Sequence, residues 1–360
     1  MTPHPNDGPS GLERRPALDG VRGVAILAVM ALHTASAYFP GGEVGVDIFF
    51  VLSAFLITTL ILKEFCQRSG EYSFRNFYIR RGLRLAPALI VWLALVAAPT
   101  AILAGQAERV LGSTIASLLY FGNYAAAFEL PQLADAYTHI WSLAIEEQFY
   151  AVWPVVLVAV LLRRTRRRRL LLWSGLAGAV ITFEITSRLI DANYVLPTGH
   201  IVPLAAGCLA AYLYIDGAHS RLERVIRHGA VPVVAGIGVV VYTLVAPHET
   251  VTGLALLAAA AILHVSWVPR GPAAALLSTP VLLWLGRRSY ALYLYHRTLA
   301  QTLPLLVPGI PLRIAGPIVL LVSFGLAEAS WRLVEKPVQR WGRARFLRAE
   351  PSGEARLRTR

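Results

Sequence analysis

Long apolar segments recur along almost the entire chain, and they constrain its fold more than any other feature of the sequence. A helix that crosses a bilayer needs about 20 mainly apolar residues, and segments of that kind fill most of the chain. Because 56% of the residues are hydrophobic and only 15% are charged, little sequence remains for a separate soluble domain. We therefore predict an all-α integral membrane protein, a bundle of about ten transmembrane helices. The predicted spans are 18–38, 44–62, 84–104, 139–162, 170–189, 197–215, 231–247, 251–268, 281–306 and 312–334.

The basic residues between these segments predict which loops face the cytoplasm, where Lys and Arg are enriched. With a cytoplasmic N-terminus and this set of spans, most of the 34 Lys and Arg residues fall on the inner side. The apolar segment 110–128 could be one more span, but that would turn the arginine-rich run 163–169 outward. We therefore predict cytoplasmic N- and C-termini, with 110–128 as a re-entrant or outer-surface helix. The net charge of +13 then reflects topology, and no nucleic-acid partner is expected.

The sequence divides into a cytoplasmic N-terminal tail, residues 1–16, one membrane domain, residues 17–337, and a basic cytoplasmic tail, residues 338–360. The first tail has no short apolar core followed by a small-residue cleavage site, so a cleaved signal peptide is not expected. Glu335 and Pro337 are expected to end the last span. The predicted location is the cell membrane, as a multi-pass protein.

The motifs of common soluble enzymes do not occur in this sequence. It has no nucleophile elbow, P-loop, zinc-protease helix or dinucleotide fingerprint. The two cysteines, Cys66 and Cys208, stand far apart and outside any zinc-ligand spacing, so no metal site is expected. Any active site is therefore sought among the polar residues of the membrane spans.

The first such residues are Arg22 and His33, in the stretch ALDGVRGVAILAVMALH. Their separation is about three helical turns, so both lie on nearly the same face, about 16 Å apart along the axis. Arg22 alone would fit a snorkelling anchor, and His33 alone a packed, hydrogen-bonded histidine. Together they would suit a long ligand with an anionic head and a reactive far end.

Charged residues within spans are costly, and each is a functional hypothesis. Asp47, at the outer end of the second span, could cap its helix or orient His33. Arg80, Arg81 and Arg84 lie at the cytoplasmic entry of the third span. They could be ordinary positive-inside charge, or they could clamp phosphate groups with their forked donors.

The fourth span, WSLAIEEQFYAVWP, carries adjacent acids, and helical periodicity turns Glu146 toward the bundle interior. Trp141 and Ser142 share that face. His296 lies near the middle of a later span, where it could also be a structural, hydrogen-bonded histidine.

Together these stretches resemble the acyltransferase family 3 of integral-membrane O-acyltransferases. The matching stretches are LDGVRGVAILAVMALH, GVDIFFVLSAFLIT, FYIRRGLRLAPA, WSLAIEEQFYAVWP and SYALYLYH, in the family's order. One departure is Ala54, where the family usually has glycine.

The resemblance implies a ten-helix membrane fold with cytoplasmic termini and no bound cofactor. It implies transfer of an acyl group, commonly acetyl, from acyl-CoA to a hydroxyl of a glycan, a lipid-linked sugar or a small acceptor such as a macrolide. The family's histidine falls on His33, its partner arginine on Arg22, and its Arg-x-x-Arg pair on Arg81 and Arg84.

The resulting hypothesis makes His33 the general base, with Glu146 or Asp47 as its carboxylate partner. Arg22, Arg81 and Arg84, helped by Arg80, would bind acyl-CoA, and the lipid bilayer surrounds the site. The alternative is a multi-pass transporter or flippase for a glycan or anionic lipid, in which buried charges are equally common. Placement alone suggests the acceptor-binding residues: Trp141, Ser142, Tyr150, Asn123 and His296.

Overall fold

The computed structural model describes residues 15–67, 70–129, 132–162, 194–216, 220–245 and 251–347, with scattered residues between 170 and 185. Within these ranges every regular element is helical. Short 3₁₀ turns at Asp135–Tyr137 and Pro197–His200 precede two of the longer helices. The helices are α1 (Pro16–Ala35), α2 (Val44–Gln67), α3 (Phe74–Ile102), α4 (Ala107–Leu118), α5 (Gly122–Phe128), α6 (Ile140–Leu161), α7 (Ile201–Asp216), α8 (Ser220–Arg227), α9 (Ala230–Val245), α10 (Val251–Trp267), α11 (Pro272–Leu277), α12 (Pro280–Leu306), α13 (Leu312–Ser330) and α14 (Lys336–Phe346).

Six of the described helices are long and apolar enough to cross a membrane, or seven if the bent pair α8 and α9 forms one span. The all-helical, multi-pass architecture is thereby confirmed, while the count of ten spans stays a prediction. The run 163–169 and most of the predicted span 170–189 lie outside the described residues. Two helices at predicted spans are not among the six. α10 has 17 residues, and α12 has 27 residues but carries Arg287, Arg288 and Arg297.

The segment 110–128 does not form one long helix. It is divided between α4, with 12 residues, and α5, with 7. At about 1.5 Å per residue, neither helix crosses a hydrocarbon core about 30 Å thick. α4 packs on α3 and α5 packs on α6, while the re-entrant or outer-surface placement of this segment stays a prediction.

α1 packs against α2, α12 and α13. Small residues allow membrane helices to approach closely. A Cβ atom on Gly23 would meet the carbonyl group of Leu282, and one on Gly286 would meet that of Asp19. This close approach of α1 and α12 brings the polar residues of both helices into one interior space.

The helix of the last predicted span does not end at Glu335 and Pro337, so that expectation was wrong. One π-helical turn, Trp331–Glu335, continues α13 into α14. Pro337 is near the start of α14, directly after the π-helical turn, and it interrupts the hydrogen-bond ladder there without ending the helix. Gly342 of α14 then lies against the side chain of Leu83 in α3. The first part of the predicted basic tail is therefore helix packed on the bundle.

Candidate active site

Two cavities lie one beyond the other inside the bundle. The arginine cavity, of about 80 Å³, is lined by residues including Arg84 and Glu146, and the histidine cavity, of about 300 Å³, by residues including His33. Val46 and Tyr293 line both cavities, so the two spaces meet at these side chains. The other polar residues of the arginine cavity are Arg22, Ser53, Arg81, Ser142, Tyr150, Ser289 and Tyr290.

The arginine cavity adjoins two outer basins, of about 300 and 240 Å³. Four side chains line both basins: Asp19, Arg22, Arg84 and Arg343. We call this side of the bundle the basic end. Several arginines line the arginine cavity and both outer basins, whereas the described lining of the histidine cavity includes one, Arg297.

Arg81 is engaged by protein groups. Its Nε donates to Glu147 at 2.9 Å, and its Nη2 makes a second bond to the same carboxylate. Its guanidinium also lies 3.0 Å from the centre of the Tyr150 ring. Since two of its N–H groups bond to one carboxylate of α6, Arg81 is suited to bracing α3 against α6.

The other three arginines differ in how much of their charge is compensated. Arg22 pairs with Asp19 at 3.0 Å and Arg80 with Glu64 at 3.6 Å. Arg84 is exposed to the cavities and has no ion pair among the described residues. Arg84 therefore has the free donors that an anionic ligand requires.

Glu146 faces the arginine cavity, in agreement with its predicted orientation toward the interior. It accepts hydrogen bonds from Ser53 Oγ and from Tyr150 Oη, the latter at 2.6 Å. Its described partners are thus hydroxyl groups in the arginine cavity, and the structure does not bring it together with His33.

His33 is hydrogen-bonded to His296, with Nδ1 of His33 2.8 Å from Nε2 of His296. Nδ1 of His296 lies 2.8 Å from the carbonyl oxygen of Leu292. A carbonyl only accepts, so that Nδ1 carries a hydrogen, and in a neutral ring Nε2 is then an acceptor. His33 therefore donates from Nδ1, which leaves the lone pair on its Nε2 free for a general base.

Asp47 is buried and pairs with His200, not with His33. Its carboxylate lies 3.0 Å from Nδ1 of His200, whose Nε2 lies 2.9 Å from the carbonyl oxygen of Tyr194. Both ring nitrogens thus lie within hydrogen-bond distance of oxygen atoms. The expected roles for Asp47 were a helix cap or a partner of His33. The observed partner is 153 residues away in sequence and carries no motif that would have identified it.

Aromatic rings surround the mouth of the histidine cavity. Trp141 stacks on His200 with ring centroids 5.0 Å apart, and Tyr194 meets Trp141 edge to face. Burial, together with the nearby carboxylates Asp47 and Glu43, raises the pKa of Tyr194 above its ordinary value, so its hydroxyl stays protonated. Trp141 therefore lines the same cavity as His33, and its role in acceptor binding stays a prediction.

His139 is a residue that the sequence analysis missed. It lines the histidine cavity and is 4% exposed, with its ring centroid 6.2 Å from that of His296. Neither of its ring nitrogens has a hydrogen-bond partner among the described residues. His139 directly precedes α6, close to Trp141 in the sequence, and no motif marked it as a candidate site residue. In the described part of the chain, no group of three or more His, Cys, Asp or Glu residues is arranged to hold a metal ion.

The remaining predicted acceptor residues do not form one site. Ser142 bonds to the hydroxyl of Tyr293 at 2.5 Å, at the junction of the cavities. Tyr150 lies in the arginine cavity. Asn123 is buried and exchanges amide hydrogen bonds with Gln148, at 2.9 and 3.3 Å, which satisfies its side chain within the protein.

The comparisons with known proteins bear on this arrangement. The Acyl_transf_3 family model, described as an acyltransferase domain, matches residues 15–328. The chain is 30% identical over 353 residues to the peptidoglycan O-acetyltransferase OatA of Listeria monocytogenes, covering 91% of this chain and 56% of the relative. It is also 30% identical to a putative O-acetyltransferase of Staphylococcus aureus strain COL, covering 91% of this chain and 58% of that relative.

A third relative, the putative peptidoglycan O-acetyltransferase YrhL of Bacillus subtilis, is 30% identical over 375 residues, covering 92% of this chain and 56% of the relative. The chain thus spans a little over half the length of these relatives. No solved structure matches it. The residues that the family model matches include the lining of both the arginine and the histidine cavities. The chain belongs to the acyltransferase 3 family of membrane O-acyltransferases.

Proposed function

We propose that this chain transfers an acyl group, acetyl first of all, from cytoplasmic acyl-CoA to a hydroxyl of an acceptor in the histidine cavity. The observation that carries the proposal is the free Nε2 of His33, whose tautomer His296 fixes. His33 lines a cavity that adjoins the arginine cavity at Tyr293 and Val46. A base and an anion-binding end therefore lie at the two ends of one interior space.

We assign the basic end to the cytoplasm, with ten spans and both termini inside. Arg84 and Arg22 bind phosphate groups of the donor there, since forked guanidinium donors match phosphate oxygens. Arg81, two of whose donors are engaged by Glu147, supports this wall. The distance of about three helical turns from Arg22 to His33 is one that an extended pantetheine arm covers.

The reaction moves the acyl group from the sulfur of the thioester to the oxygen of the acceptor hydroxyl. Nε2 of His33 takes the proton from the acceptor hydroxyl as its oxygen attacks the thioester carbonyl. The C–S bond then breaks, the new C–O bond remains, and the thiolate of CoA leaves and receives the proton from the imidazolium. Asp47 supports the outer wall through His200, and Glu146 orders the hydroxyl groups of the arginine cavity.

The acceptor is proposed to be a glycan. Two of the relatives bear names that specify peptidoglycan, and the aromatic rings of Trp141 and Tyr194 at the histidine cavity offer flat apolar surfaces. Lipid-linked sugars and small hydroxylated metabolites are the competing acceptors, and the experiment below separates them.

The test uses the purified chain in lipid vesicles, with acetyl-CoA labelled in the acetyl group. We expect label to move to a soluble peptidoglycan fragment, with stoichiometric release of CoA, and His33→Ala to abolish both. A competing series contains a lipid-linked sugar and a macrolide. A transporter or flippase, the alternative function, would release no CoA with any acceptor, and that result would overturn the proposal.

A further inference from the structure

The C-terminal helix α14 supplies part of the basic end. Arg343 of α14 lines both outer basins, together with Arg22 and Arg84. Gln339, about one turn earlier on the same helix, lines one of them. Arg343 lies beyond residues 15–328, the range that the family model matches.

The position of α14 is fixed by packing on both sides. Gly342, the neighbour of Arg343, lies so close to the side chain of Leu83 that a Cβ atom would overlap it. At the start of the helix, Glu335 is buried and accepts a hydrogen bond from Ser330 at 3.0 Å. The rotation of α14 about its axis is therefore defined, and with it the side on which Arg343 lies.

Positive charge exceeds negative charge in the basin that Arg343 shares with Arg287. The basin has two carboxylates in its lining. One, Glu335, is buried and bonded to Ser330. The other, Asp19, lies 3.0 Å from Arg22 and 3.6 Å from Arg287. In the described part of the chain, Arg343 and Arg84 have no ion pair, so two guanidinium groups remain for an anion.

We propose that Arg343, with Arg84 beside it, binds a phosphate monoester at the outer rim of the basic end. The inference rests on the proposed acyl-CoA donor, and it names the 3′-phosphate of the donor's nucleotide. That phosphate is at the opposite end of CoA from the thioester. The thioester end points toward His33 through the arginine cavity, so the nucleotide end occupies the outer basins. A bidentate arginine recognises a terminal phosphate through paired charge-assisted hydrogen bonds.

The same chemistry could come from an anionic lipid headgroup, because basic residues near a membrane surface attract such lipids. The experiment therefore measures binding of free CoA to the full chain in detergent without anionic lipid, and repeats it with added phosphatidylglycerol. The variant is Arg343→Ala. The matched control is Arg345→Ala, since Arg345 is exposed on the same helix about 200° away and is absent from the described lining of both basins.

We expect Arg343→Ala to weaken CoA binding about tenfold, and Arg345→Ala to change it less than twofold. Removing the 3′-phosphate, with 3′-dephospho-CoA as probe, should weaken binding to the unmodified chain at least as much. It should cost less in Arg343→Ala than in the unmodified chain, because the Arg343 contact is already lost there and only the Arg84 contact remains to be removed.

Equal affinity of Arg343→Ala and the unmodified chain for CoA would overturn the inference, as would full additivity of the two losses. An effect of Arg343→Ala that appears only with phosphatidylglycerol would assign the residue to lipid instead. Failure of the unmodified chain to bind CoA would overturn the proposed donor itself, which is a different result from either. Helix content, measured by circular dichroism, checks that each variant is folded.

Discussion

Nδ1 of His33 lies 2.8 Å from Nε2 of His296, across 263 residues of sequence. This contact joins α1 to α12, and through the bond from His296 to the Leu292 carbonyl it sets which nitrogen of His33 carries the hydrogen. The partner of the proposed base is thus a second imidazole, where the sequence led us to expect a carboxylate.

We expect His296→Leu to lower kcat of acetyl transfer at least about tenfold, because His33 loses the acceptor that fixes its tautomer and orientation. The KM for acetyl-CoA should stay the same, since His296 is not in the lining of the arginine cavity. Steady-state kinetics with varied acetyl-CoA measures both quantities.

His296→Gln is the conservative comparison, because its amide oxygen can accept the bond from His33. We expect it to recover part of the lost kcat. If His296→Leu retains full kcat, the proposed positioning of His33 is wrong. If both variants lose the same activity together with helix content, the residue supports folding and not the tautomer.

Arg84 and Arg81 should respond differently to substitution, although they belong to the same Arg-x-x-Arg pair. Arg84→Ala should raise the KM for acetyl-CoA about tenfold with normal stability, since only a ligand contact is lost. Arg81→Ala leaves Glu147 without its partner, and losing one member of this partly buried ion pair should cost up to about 3 kcal/mol. We therefore expect a lower midpoint of thermal unfolding.

The double substitution Arg81→Ala with Glu147→Gln tests the cause of that loss. It should recover part of the stability, because no unpaired carboxylate remains. A stable Arg81→Ala variant with a raised KM would instead make Arg81 a phosphate ligand, as the sequence suggested.

The positions of the helices could be predicted because hydrophobicity averages over about 20 residues. α2 begins at Val44 and α10 at Val251, where the apolar segments 44–62 and 251–268 begin. α3 begins well before its apolar segment, at Phe74, because Ser73 caps its first turn. The periodicity that turned Glu146 inward also agrees with the structure.

Partners between helices could not be predicted in the same way. The bonds from Asp47 to His200 and from His33 to His296 depend on which helices are neighbours, and apolar segments of similar length do not specify that. Carboxylates were expected beside His33 because they are common histidine partners. In the structure the hydroxyl groups of Ser53 and Tyr150 bond to Glu146, and His200 bonds to Asp47. Arg343 was assigned to a tail because Pro337 suggested a helix end, while the π-helical turn carries the chain past it.

The two cysteines can test the assignment of the basic end to the cytoplasm. Cys66 is exposed near the end of α2, and Cys208 is buried. A membrane-impermeant maleimide should not label Cys66 in intact cells and should label it in inverted vesicles. Cys208 should react only after denaturation, since its Sγ lies within α7 against Thr58. The serine variant of Cys66 identifies the labelled residue, and labelling of Cys66 in intact cells would reverse the orientation.

The close approach of α1 and α12 leads to the last prediction. Gly286→Ala places a methyl group against the Asp19 carbonyl, and overpacking of this kind costs about 1–3 kcal/mol. Because α1 carries Arg22 and His33 while α12 carries His296, the same change should also lower kcat by loosening the bond between the two histidines.

The control is Gly325→Ala in α13, where nothing lies within 4 Å of the new methyl group. That variant should be neutral or more stable by up to about 1 kcal/mol, since alanine is the better helix former. Thermal unfolding in detergent and acetyl transfer measure both effects. Equal stability of the two alanine variants would show that α1 and α12 can separate without cost, contrary to a rigid contact between the histidines.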